Sequence, residues 1–188
     1  PTQHSVKTLL EAGIQPDILV CRTEHPLGSE IKRKVARFCN VERDAVIESM
    51  DASTIYEVPL LMQKEGLDKV VLRKLGLTDS TDVKLEHWCN FLERLQNPKQ
   101  EITIGLIGKY VELQDAYKSI SEAIIHAGAT NACKVRVNWI HAEEINDNNV
   151  AEKLAGLSGV LVAPGFGDRG SEGKIAAIKY IRENNIPF

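Results

Sequence analysis

The chain has 188 residues, of which 43% are hydrophobic and 26% charged, and a formal net charge of -3 from 23 basic and 26 acidic side chains. Those proportions are ordinary for a globular fold and exclude collagen, long disorder and a disulfide scaffold. The slight negative charge argues against nucleic-acid binding through a broad basic surface, while leaving room for a local phosphate site.

Residues 2–12 read as a helix, because Val6, Leu9 and Leu10 share a face and Gly13 follows. Ile18-Leu19-Val20-Cys21 reads as a buried strand. Ser29 is a candidate N-cap for a basic helix over 30–38, with Ile31 and Val35 facing inward. Ala45-Val46-Ile47 reads as a strand, followed by short helices over 53–65 and 67–75. The polar run Thr78-Asp79-Ser80-Thr81-Asp82, a helix over 83–96 and the breaker Asn97-Pro98-Lys99-Gln100 mark a domain boundary.

Strand–helix alternation then restarts. Residues 102–108 form a strand ending in Gly108, and a helix over 116–127 stops before Gly128. Val135, Val137 and Trp139 alternate along a strand over 134–140. A helix over 149–155, an apolar strand over 159–163 and a glycine-rich loop over 164–173 follow. The last elements are a helix over 174–184 and the start of a strand at Ile186-Pro187-Phe188. This order predicts α/β architecture with parallel sheets.

No apolar run approaches the ~18 residues of a membrane span. Lys7, Glu11 and Gly13 interrupt the first apolar cluster, so no signal peptide is expected either. Cys21, Cys39, Cys89 and Cys133 form no CxxC and lack a His at zinc-ligand spacing, so they read as isolated cytosolic thiols. The chain opens on Pro1 and ends on Phe188, and it is expected to be a piece of something longer.

Four segments have the composition for chemistry. In Pro164–Gly173 a strand empties into glycines and then a helix, which suits an oxyanion or anion site, although a tight βα turn accounts for it equally well. Gly108-Lys109-Tyr110 and Asp115–Ser119 follow a strand end where α/β ligands bind, but a solvated pair, Lys109 and Lys118, is the simpler reading. Lys34 and Arg37 share a helix side suited to a phosphate chain, or to plain solvation. Pro1–Val6 crowds polar groups at a helix start, which capping by Thr2 or Ser5 explains. Neither the dinucleotide fingerprint nor the P-loop spacing is present.

Taken in order, Pro1–Val6, Gly13–Arg22, Phe38–Val41, Gly105–Tyr110, Asp115–Ser119 and Pro164–Gly173 resemble the CTP synthase family. The resemblance implies a Rossmann-like synthetase portion over 1–77, a linker over 78–100 and the first part of a flavodoxin-like class I glutaminase over 101–188. It implies ATP-dependent amination of UTP to CTP with ammonia from glutamine. Mg²⁺ would act with ATP through ligands outside this chain, GTP would activate, and CTP would inhibit. The implied assembly is a homotetramer, with filaments as a further state, in the cytoplasm, without nucleic-acid or membrane partners.

By the same resemblance, Gln3 and Lys34 fall in the UTP/CTP site, and Arg22, Asp51 and Ala52 in the adenine site. Lys118 lies at the interdomain junction. Gly165 falls at the oxyanion and glutamine site, and Phe166, Arg169, Gly170 and Glu172 in the glutamine and GTP lid. Pro164 stands where the family usually has the first glycine of Pro-Gly-Gly-Phe-Gly, and it has no N–H, so Gly165 is the expected donor. No cysteine follows a strand-to-helix elbow, so none matches the family's nucleophile. The 188-residue chain alone is therefore expected to be inactive. Rival readings are another glutamine amidotransferase, such as a GMP synthase, and a non-catalytic nucleotide-binding or scaffold module.

Overall fold

The computed structural model describes residues 1–77 and 83–188; the expected polar run at 78–82 lies outside the described residues. The chain forms two compact units, Pro1–Glu86 and His87–Phe188.

The first unit contains α1 (Thr2–Glu11), β1 (Leu19–Thr23), α2 (Ser29–Cys39), β2 (Val46–Met50), α3 (Val58–Lys64) and α4 (Leu67–Lys74). Strands β1 and β2 pair in parallel, with Leu19 opposite Val46 and Thr23 opposite Met50. Helix α1 presses Val6 onto Leu19 and Cys39, and Cys21, Val35 and Val41 close around them. Helix α2 ends on Asn40, whose φ of 52° is the left-handed stop that Asn tolerates. Ser29 is the first helical residue and not the cap; the Gly28 carbonyl before it accepts from Ile31 and Lys32. Ile31 does not face inward as its spacing from Val35 suggested. It is 50% exposed on the same face as Phe38, because Ala36 and Cys39 occupy the buried side.

Lys32 is mostly covered, and its ammonium lies 2.6 Å from the Glu65 carboxylate and 3.7 Å from that of Glu48. Glu65 also accepts the Glu48 N–H at 3.0 Å. Burial pushes the Glu65 pKa upward, but the Lys32 ammonium and that N–H outweigh it and hold the carboxyl below its ordinary value. A depressed folded-state pKa stabilises above the unfolded value, about 4.3, and that stabilisation is lost as pH falls through the folded value. Glu65→Gln is therefore expected to flatten the loss of stability between about pH 5 and about pH 3. Urea midpoints of both proteins across that range check this; parallel acid limbs would refute it.

The second unit contains α5 (Glu86–Gln96, of which Glu86 falls in the first unit), β3 (Gln100–Gly108), α6 (Lys118–Thr130), β4 (Cys133–His141), α7 (Val150–Lys153), β5 (Gly159–Val162) and α8 (Ser171–Glu183). All pairing is parallel in the order β4-β3-β5. In the order of its own strands this is 2-1-3, the opening of the flavodoxin-like order. Central strand β3 is covered on both faces. Leu106 packs with Tyr117 and Ala163 on one side, while Ile107 joins Ile140, Val150, Leu154, Ala177 and Ile181 on the other. That explains why the strand reads Ile102 to Gly108 as apolar apart from Thr103.

Several boundaries differ from the sequence reading: α5 begins at Glu86, β3 at Gln100 inside the expected breaker, and α6 at Lys118, and α7 is shorter than expected. Helix α6 passes through Gly128 to Thr130, because a Cβ at Gly128 would lie 2.6 Å from the Cys133 carbonyl. The glycine there serves a close helix–strand approach and does not end the helix. Helix α8 begins at Ser171 and includes Gly173. Residues 186–188 form no strand, although the Pro187 carbonyl accepts the Val160 N–H at 2.9 Å.

Candidate functional site

The main site of the second unit lies where the strand order reverses. Strands β3 and β5 adjoin, and the loops leaving their carboxyl ends run to α6 and α8 on opposite faces. Such a switch point leaves a crevice for ligands. The first loop carries Gly108-Lys109-Tyr110, and the second carries Ala163 to Gly170.

Lys109 is buried, at 3% exposure, which corrects the reading of it as a solvated partner of Lys118. Its ammonium donates to the carbonyl oxygens of Phe166 at 2.8 Å and Gly167 at 2.7 Å. Lys174, on the first turns of α8, reaches back to the Ala163 carbonyl at 2.6 Å. The Ala163 N–H donates to Ile107, which continues the β3–β5 ladder into the loop. The Tyr117 hydroxyl accepts the N–H groups of Lys109 and Tyr110, at 2.9 and 3.3 Å. Gly108 is required beneath it, since a Cβ there would lie 2.5 Å from that hydroxyl.

Gly165 sits over the Lys109 stem; a Cβ there would be 3.4 Å from its Cδ and 3.7 Å from Lys174 Nζ. Phe166 is fully exposed. Gly167 and Gly170 have φ of 78° and 71°, which glycine adopts freely. Gly170 precedes α8, and Arg169 pairs with Glu143 after β4. The Glu143 carboxylate pushes the Arg169 pKa upward. Glu172 is exposed on the first turn of α8. Gly165, Phe166, Arg169, Gly170 and Glu172 thus share one loop and helix start. Lys118 begins α6, is exposed, and pairs with Glu122 at 2.7 Å.

In the first unit, Arg22 and Asp51 are brought together: Arg22 Nε donates to Asp51 Oδ1 at 2.8 Å. The parallel register places Arg22 opposite Ser49, two residues before Asp51, and the Asp51 N–H donates to Thr23. The Asp51 carboxylate raises the Arg22 pKa. Ala52 is half-buried beside Asp51 in a cleft of about 330 Å³ that also contains Glu48, Glu57 and Lys64. Gln3 and Lys34 are exposed on α1 and α2, which pack together, and no hydrogen bond joins the two side chains. Lys34 and Arg37 line a shallow cleft of about 370 Å³ with Ile31 and Phe38.

Sequence reasoning missed Lys174, Tyr117 and Glu143 as parts of these arrangements. Tyr117 lies within Asp115–Ser119 and Lys174 directly follows Pro164–Gly173, but no local signal marks Glu143. All four cysteines are free. Burial pushes the Cys21 and Cys39 thiols upward, away from the thiolate that a nucleophile needs. Among the described residues, no three His, Cys, Asp or Glu side chains cluster to hold a metal, and no helix is long and apolar enough to cross a membrane.

Residues 1–77 match the family model described as CTP synthase N-terminus, and residues 112–188 match that of glutamine amidotransferase class-I. The chain is 65% identical over 188 residues to a CTP synthase of Flavobacterium johnsoniae, covering all of this chain and 35% of that one. It is 63% identical over 188 residues to one of Christiangramia forsetii, covering all of this chain and 34% of the relative. A Methanocaldococcus jannaschii CTP synthase is 57% identical over 194 residues, again across all of this chain and 36% of the relative. The chain spans about a third of the length of these curated relatives. Among solved structures, the glutaminase domain of Trypanosoma brucei CTPS with bound acivicin is 31% identical, with a TM-score of 0.43. That match covers 46% of this chain and 34% of the other.

Proposed function

We propose that this chain is part of a CTP synthase, with residues 1–77 from the amidoligase domain, 78–100 linking, and 101–188 from the class I glutaminase domain. The observation that carries the reading is the order of the two matched families in one chain, a CTP synthase segment ahead of an amidotransferase segment. A GMP synthase would not place residues like Pro1–Lys7 and Asp51–Tyr56 ahead of its glutaminase, and identity over the full length with CTP synthases speaks against that rival.

The whole protein would aminate UTP with ammonia from glutamine, using ATP with Mg²⁺, under GTP activation and CTP inhibition, as a homotetramer. In the glutaminase part, Gly165 N–H would donate to the oxygen that gains charge as the glutamine carboxamide becomes tetrahedral. Phe166 offers an exposed ring for stacking, and Arg169, Gly170 and Glu172 form the lid that answers GTP. In the amidoligase part, Arg22, Asp51 and Ala52 would border adenine, Asp51 through its side chain and Ala52 through its backbone. Lys34 would bind the UTP or CTP triphosphate, and Gln3, on α1, would belong to the same pyrimidine-nucleotide site. Lys118 would belong to the interdomain junction.

The test is an assay of the full-length gene product with glutamine, ATP and UTP. Formation of CTP, faster with GTP, is the expected result. Glutamine hydrolysis without CTP, or nucleotide binding without turnover, would overturn the proposal and favour one of the rivals.

A further inference from the structure

We infer that Lys109 is a positioning residue that aims the Gly165 N–H at the oxyanion; this rests on the glutaminase reading above. A buried ammonium is costly to keep, and an apolar side chain of similar volume at such a site is often as stable or more so. Lys109 nevertheless sits 3% exposed at the end of the central strand, with carbonyl oxygens as its hydrogen-bond partners. Both partners are backbone atoms of the glycine loop.

Those two bonds fix the peptide planes before and after Gly167. Lys174 fixes the plane after Ala163 from the other side. Between these anchors stands Pro164, whose ring locks φ near -65°. Gly165 is thus the most freely rotating residue of a short segment held at both ends. A glycine released from such anchors would spread its N–H over many directions. The Lys109 stem also packs directly against Gly165, with Cδ and Cε at 3.4 and 3.5 Å from where a Cβ would stand. The replacement of the family's first glycine by Pro164 therefore fits the same device: the ring removes one donor and stiffens the approach to the next.

The ammonium itself takes no part in bond making. Its effect is on direction, so its loss should fall on turnover more than on glutamine binding. In the full-length protein, Lys109→Met keeps the stem and removes the donors. Glutaminase kcat is expected to fall about 10- to 100-fold, the scale of a small misplacement of a reacting group. KM for glutamine should stay within about threefold, as for a contact exerted mainly in the transition state. CTP formation from added ammonia should be unchanged. Amide hydrogen exchange of residues 163–170 should be faster than in the parent. Parent-like kcat together with parent-like exchange would overturn the inference.

If the parent enzyme hydrolyses no glutamine, the glutaminase reading fails, while the exchange comparison still decides whether Lys109 holds the loop. Should Lys109→Met not fold, Lys174→Met removes the other anchor of the same loop. Faster exchange at 163–170 with reduced kcat there supports the bracketed-loop arrangement, and unchanged values overturn it.

Discussion

Gly173→Ala is expected to destabilise the second unit by about 3 kcal/mol, the upper end of the overpacking range. A methyl group at this position would lie 1.8 Å from the Ala142 carbonyl oxygen and 3.0 Å from that of Ile145. Both neighbours are backbone, so no side chain can swing aside. Helix α8 would have to lift from the turn after β4. Ala177 and Ile181, fully buried on the same helix, would lose contact with Val150 and Leu154. Urea unfolding followed by the near-ultraviolet signal of Trp88 and Trp139, both in the second unit, checks the value. A loss under about 1 kcal/mol would mean that the helix relaxes at little cost.

Gly165→Pro is expected to lower glutaminase kcat of the full-length enzyme about 10²- to 10³-fold, the cost of one missing oxyanion donor. Gly165→Ala provides the contrast. Its φ is not in the left-handed region, and its methyl would meet Lys109 Cδ at an ordinary 3.4 Å, so it keeps the N–H without strain. Alanine should therefore retain activity within a few-fold while proline abolishes most of it. Ammonia-dependent CTP formation measured alongside shows that the rest of the enzyme is intact. Equal activity of the two variants would place the donor elsewhere.

Local pattern carried much of the fold. The run from Ile102 to Gly108 and the alternation of Val135, Val137 and Trp139 reflect burial on two faces and on one, and both strands form. What local pattern could not carry was set by distant partners. Lys109 looks like a surface residue from its type alone; its acceptors lie 57 and 58 residues away along the chain. Gly128 has the sequence character of a helix stop, yet its role is set by the Cys133 carbonyl across a turn. Ile31 and Val35 share a helical spacing, but the buried stripe of α2 runs through Ala36 and Cys39, which are smaller and less conspicuous. Among the site residues, the glycine loop was legible because glycines between a strand and a helix have a steric meaning. Arg22 and Asp51 were named only through the family resemblance, and their ion pair was not foreseen, since it depends on the register between two parallel strands.

The all-parallel pairing also governs the order in which the second unit can assemble. Among the described residues no hairpin is there to seed the sheet. The first pairing available joins β3 to β4 across α6, a single crossover. Strand β5 then has to return to β3 past both β4 and α7, bringing Gly159 beside Ile104. Each of these two crossovers costs loop-closure entropy before any contact rewards it. The glycine loop hangs from β5, so within residues 87–188 the segment with the most chemical promise takes its place only once that second crossover has closed.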